Sequence, residues 1–229
     1  MTTISANLQA VHARIDAAAR NAGRNPDDIK LLAVSKTWPA SEVREAAAAG
    51  QQSFGENYVQ EGVEKVAELA ELGLEWHFIG PLQSNKTRVV ADAFDWVHSL
   101  DRLKIAERLS QQRPATRAPL QVCLQVNISG EDTKSGVALA DVPALAHQIA
   151  ALPHLRLRGL MTIPAPLDEV AQQRAAFRQL REVFQQLNNE GLQLDTLSMG
   201  MSHDLEAAVA EGATMVRIGT AIFGDRKKI

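Results

Sequence analysis

Apolar residues in this chain fall into two alternating rhythms. Short, nearly unbroken runs of strand length appear as KLLAVS from Lys30, QSF from Gln52, WHFIG from Trp76 and DWVHSL from Asp95. They continue as QVCLQVN from Gln121, RLRGLMT from Arg156, TLSMG from Thr196 and MVRIGT from Met215. Between the runs, apolar positions recur at the spacing of one helical face, as in Val59, Val63, Val66 and Leu69 ahead of Gly73. Val170, Phe177, Leu180, Phe184 and Leu187 ahead of Gly191 repeat the pattern. An amphipathic helix opens the chain: Leu8, Val11, Ile15 and Ala18 share a face that Gly23, Asn25 and Pro26 terminate.

Strict alternation of buried strand and helix predicts parallel strands, which need cover on both faces or closure. Helix starts are expected at Ser41, Asp101 and Asp141 as N-caps, with Pro143 in the first turn of its helix. The same alternation admits an open, doubly wound sheet. Eight units favour a single α/β (β/α)8 TIM barrel with an extra N-terminal helix, and 229 residues suit that fold as one unit. No Pro- or Gly-rich linker divides the chain, so residues 1–229 are read as one domain.

Composition narrows the function classes. With 45% hydrophobic and 22% charged residues the chain can close a core. Its 24 Lys and Arg are interspersed among 27 Asp and Glu, so no basic field exists to attract nucleic acid. The lone Cys123 excludes a disulfide framework and a multi-cysteine metal site, which fits a reducing cytoplasm. The first residues lack the apolar stretch of a signal peptide or membrane span, so a cytoplasmic chain with no membrane partner is expected. His77, His98, His147, His154 and His203 are scattered without ligand spacing, so no metal is expected.

In a barrel, chemistry gathers at the C-terminal ends of the strands. Lys36 directly follows the first run; taken alone, such a lysine reads as one that snorkels to solvent or pairs with a carboxylate. Gly200 and Ser202 lie between the seventh run and a helix carrying Leu205, Ala208 and Val209, an arrangement that suits an anion or simply caps the helix. Arg217, Gly219 and Thr220 follow at the end of the eighth run. The loops after strands seven and eight often hold phosphate in this fold. Closure would pair the eighth strand with the first and set the lysine beside the phosphate cradle. A desolvated lysine is a nucleophile toward carbonyls, so the pair suits a small phosphorylated aldehyde, pyridoxal phosphate being the natural candidate.

The segments AVSKTWP, FGENYVQE, WHFIGPLQSNK, NISGEDTKSG, GLMTIP, SMGMSHDLEAAVAEG and VRIGTAIFG, in this order, resemble the pyridoxal phosphate homeostasis (YggS or PROSC) family over nearly the whole chain. That family is related to the N-terminal barrel of alanine racemase. The resemblance implies a cytosolic protein holding pyridoxal 5′-phosphate as a Schiff base on Lys36. Ser202, Gly219 and Thr220 would then cradle the phosphate, with Met201 in the same segment and Arg217 near the cofactor. Asn57, His77 and Ser198 are looser carry-overs; Asn57 and His77 are also expected at the barrel mouth as ends of the second and third strands.

Racemisation needs a base on each face of the cofactor, and alanine racemases draw the second, a tyrosine, from a partner's β domain. No such domain is recognised here and the only tyrosine is Tyr58, so a monomeric, non-catalytic carrier or regulator is expected. Cofactor-requiring apo-enzymes are the partners it would serve. The alternatives are a weak amino acid racemase or other pyridoxal phosphate enzyme, with His77 as a possible second base, and a barrel for some other phosphorylated metabolite. Lys134, in the loop NISGEDTKSG, is a candidate for transient contact with moving cofactor or an ordinary solvated lysine, and GDRKKI reads as a solvated basic tail.

Overall fold

The computed structural model describes residues 3–130 and 135–225. Helix α1 (Ile4–Asn21) is followed by β1 (Lys30–Val34), α2 (Ala40–Ala48), β2 (Ser53–Glu56), α3 (Val59–Glu68) and β3 (Glu75–Phe78). Next come α4 (Thr87–Ala93), β4 (Trp96–Leu100), α5 (Leu103–Gln112), β5 (Leu120–Asn127), a two-residue β6 (Val137–Ala138) and α6 (Val142–Ala150). The chain continues with β7 (Leu155–Met161), α7 (Val170–Asn189), β8 (Thr196–Ser198), α8 (Leu205–Ala210), β9 (Met215–Ile218) and α9 (Thr220–Phe223).

All the predicted runs are strands. Among the described residues they pair in the order β4-β3-β2-β1-β9-β8-β7-β5, every pair parallel, and β4 also pairs with β5. The barrel is therefore closed and the open-sheet alternative is excluded. Of the strands among the described residues, β6 alone escaped the sequence reading; its two residues pair with β5, outside the closed ring. Asp141 sits at an N-cap and Pro143 in the first turn of α6, as expected. Ser41 instead lies inside α2, capped by Pro39, and Asp101 lies one residue before the cap of α5, Arg102. No helix among the described residues is long and apolar enough to cross a membrane.

Side chains alternate in direction along a strand. Leu31, Ala33, Trp76, Phe78 and Val97 belong to the main core between strands and helices. Their neighbours Leu32, Trp96, Cys123, Met161 and Met215 form two separate small clusters. The same parity turns His77, His98 and Arg217 inward, each 4% exposed or less. The interior is thus partly polar, and its polar groups must satisfy one another.

Candidate functional site

Lys36 lines a cavity of about 250 Å³ at the C-terminal ends of the strands. Its neighbours are held from below. The Ser35 hydroxyl donates to Glu56 Oε1 at 2.6 Å and its carbonyl accepts from Lys65 Nζ at 2.8 Å. Thr37 sits at φ 67°, a conformation rare for a β-branched residue, and its N–H donates to Glu61 at 2.6 Å. Lys65 Nζ joins the cluster by pairing with Glu56 at 2.7 Å and Glu61 at 2.6 Å. Burial pushes the Glu56 carboxyl above the usual range, against the opposing pull of Lys65.

The facing wall comes from the far end of the chain. Strand β1 pairs with β9 from Lys30↔Met215 to Ala33↔Ile218, which sets Gly219 beside Val34; a Cβ there would lie 3.0 Å from the Val34 carbonyl oxygen. Gly200, at φ 96°, turns the chain out of β8 where a Cβ would lie 2.6 Å from Ala208. Beyond it, the Met201 N–H donates to Asp204 Oδ1 at 2.6 Å. The extra helix α1 braces this wall. Arg14 donates to the Ser202 carbonyl at 2.6 Å and makes two 2.6 Å bonds to Glu206. Asn7 donates to the carbonyl of Ile222 at 2.8 Å.

Arg217 also lines the cavity and is 4% exposed. It donates to the carbonyl and hydroxyl of Ser198 at 2.6 and 2.8 Å and to the carbonyl of Thr162 at 2.8 Å. Burial pushes its pKa down to about 10, so it stays cationic near neutral pH. Val34, Ile79 and Ile163 add apolar surface. Asn57 Oδ1 is buried with no hydrogen-bond partner among the described residues. One chamber thus offers an amine, a glycine-bearing wall suited to an anion, apolar sides for a flat ring, a buried cation and an orphaned acceptor.

Of the predicted site residues, Lys36, Asn57, Met201, Ser202, Arg217, Gly219 and Thr220 meet at this cavity. His77 does not reach the mouth. Its ring is fully buried, with Nε2 2.5 Å from Glu75 Oε1 and Nδ1 2.9 Å from His98 Nε2. Ser198 is also fully buried and touches Arg217 and His98 instead of lining the cavity. Val34, Ile79, Ile163 and His203 line the cavity without having been singled out; Ile79 and Ile163 each follow a strand end by one or two residues, the signal that marked Lys36. Tyr58 is 56% exposed and not among the lining residues. Lys134 and the tail beyond Asp225 lie outside the described residues. No group of side chains suited to a metal ion occurs among the described residues.

The family profile of the alanine racemase N-terminal domain matches residues 6–227. The chain is 65% identical over 226 residues to the pyridoxal phosphate homeostasis protein of Pseudomonas aeruginosa, covering 99% of this chain and 97% of the relative. It is 58% identical over 229 residues to the protein of the same name from Escherichia coli, covering 99% and 98%. Among solved structures, PipY of Synechococcus elongatus with pyridoxal phosphate bound superposes with a TM-score of 0.79 at 43% identity, covering 93% of this chain and all of that one. The closed barrel, the lysine at the end of its first strand and these likenesses together place the chain in the alanine racemase N-terminal domain family, among the pyridoxal phosphate homeostasis proteins.

Proposed function

We propose that the chain binds pyridoxal 5′-phosphate covalently through the amine of Lys36 and serves intracellular cofactor homeostasis, as a carrier or regulator of the free cofactor and not as a robust catalyst. The carrying observation is the single cavity in which Lys36 is joined by Ser202, Gly219 and Thr220 from the opposite end of the chain. The relatives' name and the pyridoxal phosphate bound to PipY support the same reading.

Bound pyridoxal phosphate supplies an aldehyde carbon for an amine and an electron-withdrawing ring. Lys36 provides that amine from a strand end anchored on both sides. The Ser202 hydroxyl and the backbone N–H groups of the Gly219–Thr220 turn would hold the phosphate, since the first N–H groups of a helix lack acceptors within it. Arg217 would offer a fixed cation to the ring, and Asn57 Oδ1 would be available to accept a hydrogen bond from the ligand. Racemisation needs a second base at the cavity. His77 is fully buried with both ring nitrogens engaged, and Tyr58 points to solvent, so turnover has no support from these groups.

The test is the visible absorbance of the purified protein with added pyridoxal phosphate, followed by borohydride reduction and peptide mass analysis. A reduced adduct on Lys36, absent in Lys36→Ala, is expected. A colourless protein with no adduct overturns the reading. Interconversion of D- and L-amino acids should be negligible; robust turnover would make the chain an enzyme. The same reading takes residues 1–229 as one cofactor-binding domain, cytoplasmic and monomeric, passing cofactor to apo-enzymes, with a single monomer mass expected in light scattering.

A further inference from the structure

A chain of polar contacts crosses the barrel interior, and the cofactor cavity touches only one end of it. At the opposite face, Glu75 opens β3 and its Oε1 lies 2.5 Å from His77 Nε2. His77 Nδ1 lies 2.9 Å from His98 Nε2, and His98 Nδ1 lies 2.9 Å from Ser198 Oγ. Ser198 Oγ accepts from Arg217 at 2.8 Å, and Arg217 lines the mouth cavity. His77, His98 and Ser198 are fully buried.

The two ends dictate the direction. Arginine can only donate and an ionised carboxylate can only accept. Ser198 Oγ accepts a hydrogen bond from Arg217, and the partner left for its own hydroxyl hydrogen is His98 Nδ1. His98 then carries its hydrogen on Nε2 and donates to His77 Nδ1, and His77 carries its hydrogen on Nε2 and donates to Glu75. The reverse arrangement would set a bare Nε2 lone pair 2.5 Å from a carboxylate oxygen. The charged groups acting on the two rings are Glu75, Lys30, Asp95 and Arg217. Burial favours the neutral form of both imidazoles, more strongly for His98, which faces no carboxylate of its own.

We propose that Glu75, His77 and His98 are positioning residues for Arg217, acting through Ser198. The one-way chain commits the guanidinium to the interior wall in a single orientation and ties its placement at the mouth to a carboxylate on the opposite face. Glu75 is 36% exposed in its side chain and also pairs with Lys30 at 2.5 Å, so one end of the chain is open to solvent. The consequence for cofactor binding rests on the function proposed above; the direction of the chain does not.

The experiment is nitrogen NMR of the full-length protein labelled at histidine, alongside titration with pyridoxal phosphate. In the wild type, two buried rings should be neutral near neutral pH, with the hydrogen on Nε2 and a bare Nδ1. Glu75→Met removes the terminal acceptor; His77 should shift toward the Nδ1–H form, and cofactor binding should weaken about fivefold or more with a displaced visible band. Lys30→Met removes another partner of the same carboxylate and should leave both tautomers in place. A hydrogen on Nδ1, or an imidazolium, in the wild-type rings overturns the assigned direction. Correct tautomers with unchanged cofactor affinity and spectrum in Glu75→Met overturn the positioning role. If the wild type binds no cofactor at all, the functional reading and the positioning role fall together, while the tautomers still decide the direction of the chain.

Discussion

Thr37 donates its backbone N–H to Glu61 at 2.6 Å while held at φ 67°. A carboxylate four residues upstream of Lys65 on the same helix thereby fixes an unfavourable turn directly after Lys36. Such a conformation costs a β-branched residue on the order of 1–3 kcal/mol. Glycine adopts it freely but loses roughly 0.5–1 kcal/mol of chain entropy. Thr37→Gly should therefore stabilise the fold by about 1 kcal/mol in urea unfolding; a clear destabilisation would mean the turn stores no strain.

The cluster behind that turn predicts a pH-dependent defect. Glu56 is fully buried, and Lys65→Met leaves it without its cation. Breaking a buried pair typically costs about 3–5 kcal/mol. The Glu56 carboxyl is already raised in the fold by burial and rises further once Lys65 is gone. The folded variant then binds more protons than the unfolded chain, so its stability falls as pH rises from the ordinary carboxylate range through the raised value. The loss should be larger at about pH 8 than at about pH 5. Equal losses at both would show that Glu56 ionises without hindrance.

The paired imidazoles act in the opposite direction. Burial lowers the pKa of His77 and His98, so the native state binds fewer protons than the unfolded state below about pH 6.5. Their contribution is present above that pH and is lost as pH falls, each by up to about 1.4 kcal/mol per pH unit. Urea unfolding of the wild type between about pH 7.5 and pH 5 should show this slope, and His98→Gln should flatten it. An unchanged slope in His98→Gln would rule out a neutral buried ring at that position.

Gly80 packs directly on the backbone of Asn57, and a Cβ there would lie 2.0 Å from the Asn57 carbonyl oxygen. Neither backbone can yield without moving Asn57 at the cavity. Gly80→Ala should cost about 1–3 kcal/mol and weaken binding of pyridoxal phosphate, measured by denaturation and by spectral titration. Unchanged cofactor binding would mean that Asn57 plays no part in holding the ligand.

Much of this was legible in the sequence because a closed parallel barrel leaves plain marks. Every strand is a compact apolar run, and a residue just past its end faces the mouth, which located Lys36, Asn57 and Thr220. Depth inside the barrel is less visible. His77 was expected at the mouth, but it is the third residue of β3 and its inward side chain reaches toward Glu75 at the other end. Histidines that look scattered along the chain, such as His77 and His98, become neighbours because β3 and β4 pair. The ion cluster of Glu56, Glu61 and Lys65 escaped notice because charged residues at a strand end and along the next helix read as solvated until tertiary packing buries them.

The pairing of β1 with β9 makes the cavity a product of both ends of the chain. Lys36 leaves the ribosome well before Arg217, Gly219 and Thr220, which follow it in the sequence by most of the barrel. A nascent chain carries the reactive amine long before it owns the wall that would recognise a phosphate. Selective capture of the ligand therefore waits on ring closure, and loss of the last strand should abolish the site as completely as loss of the lysine.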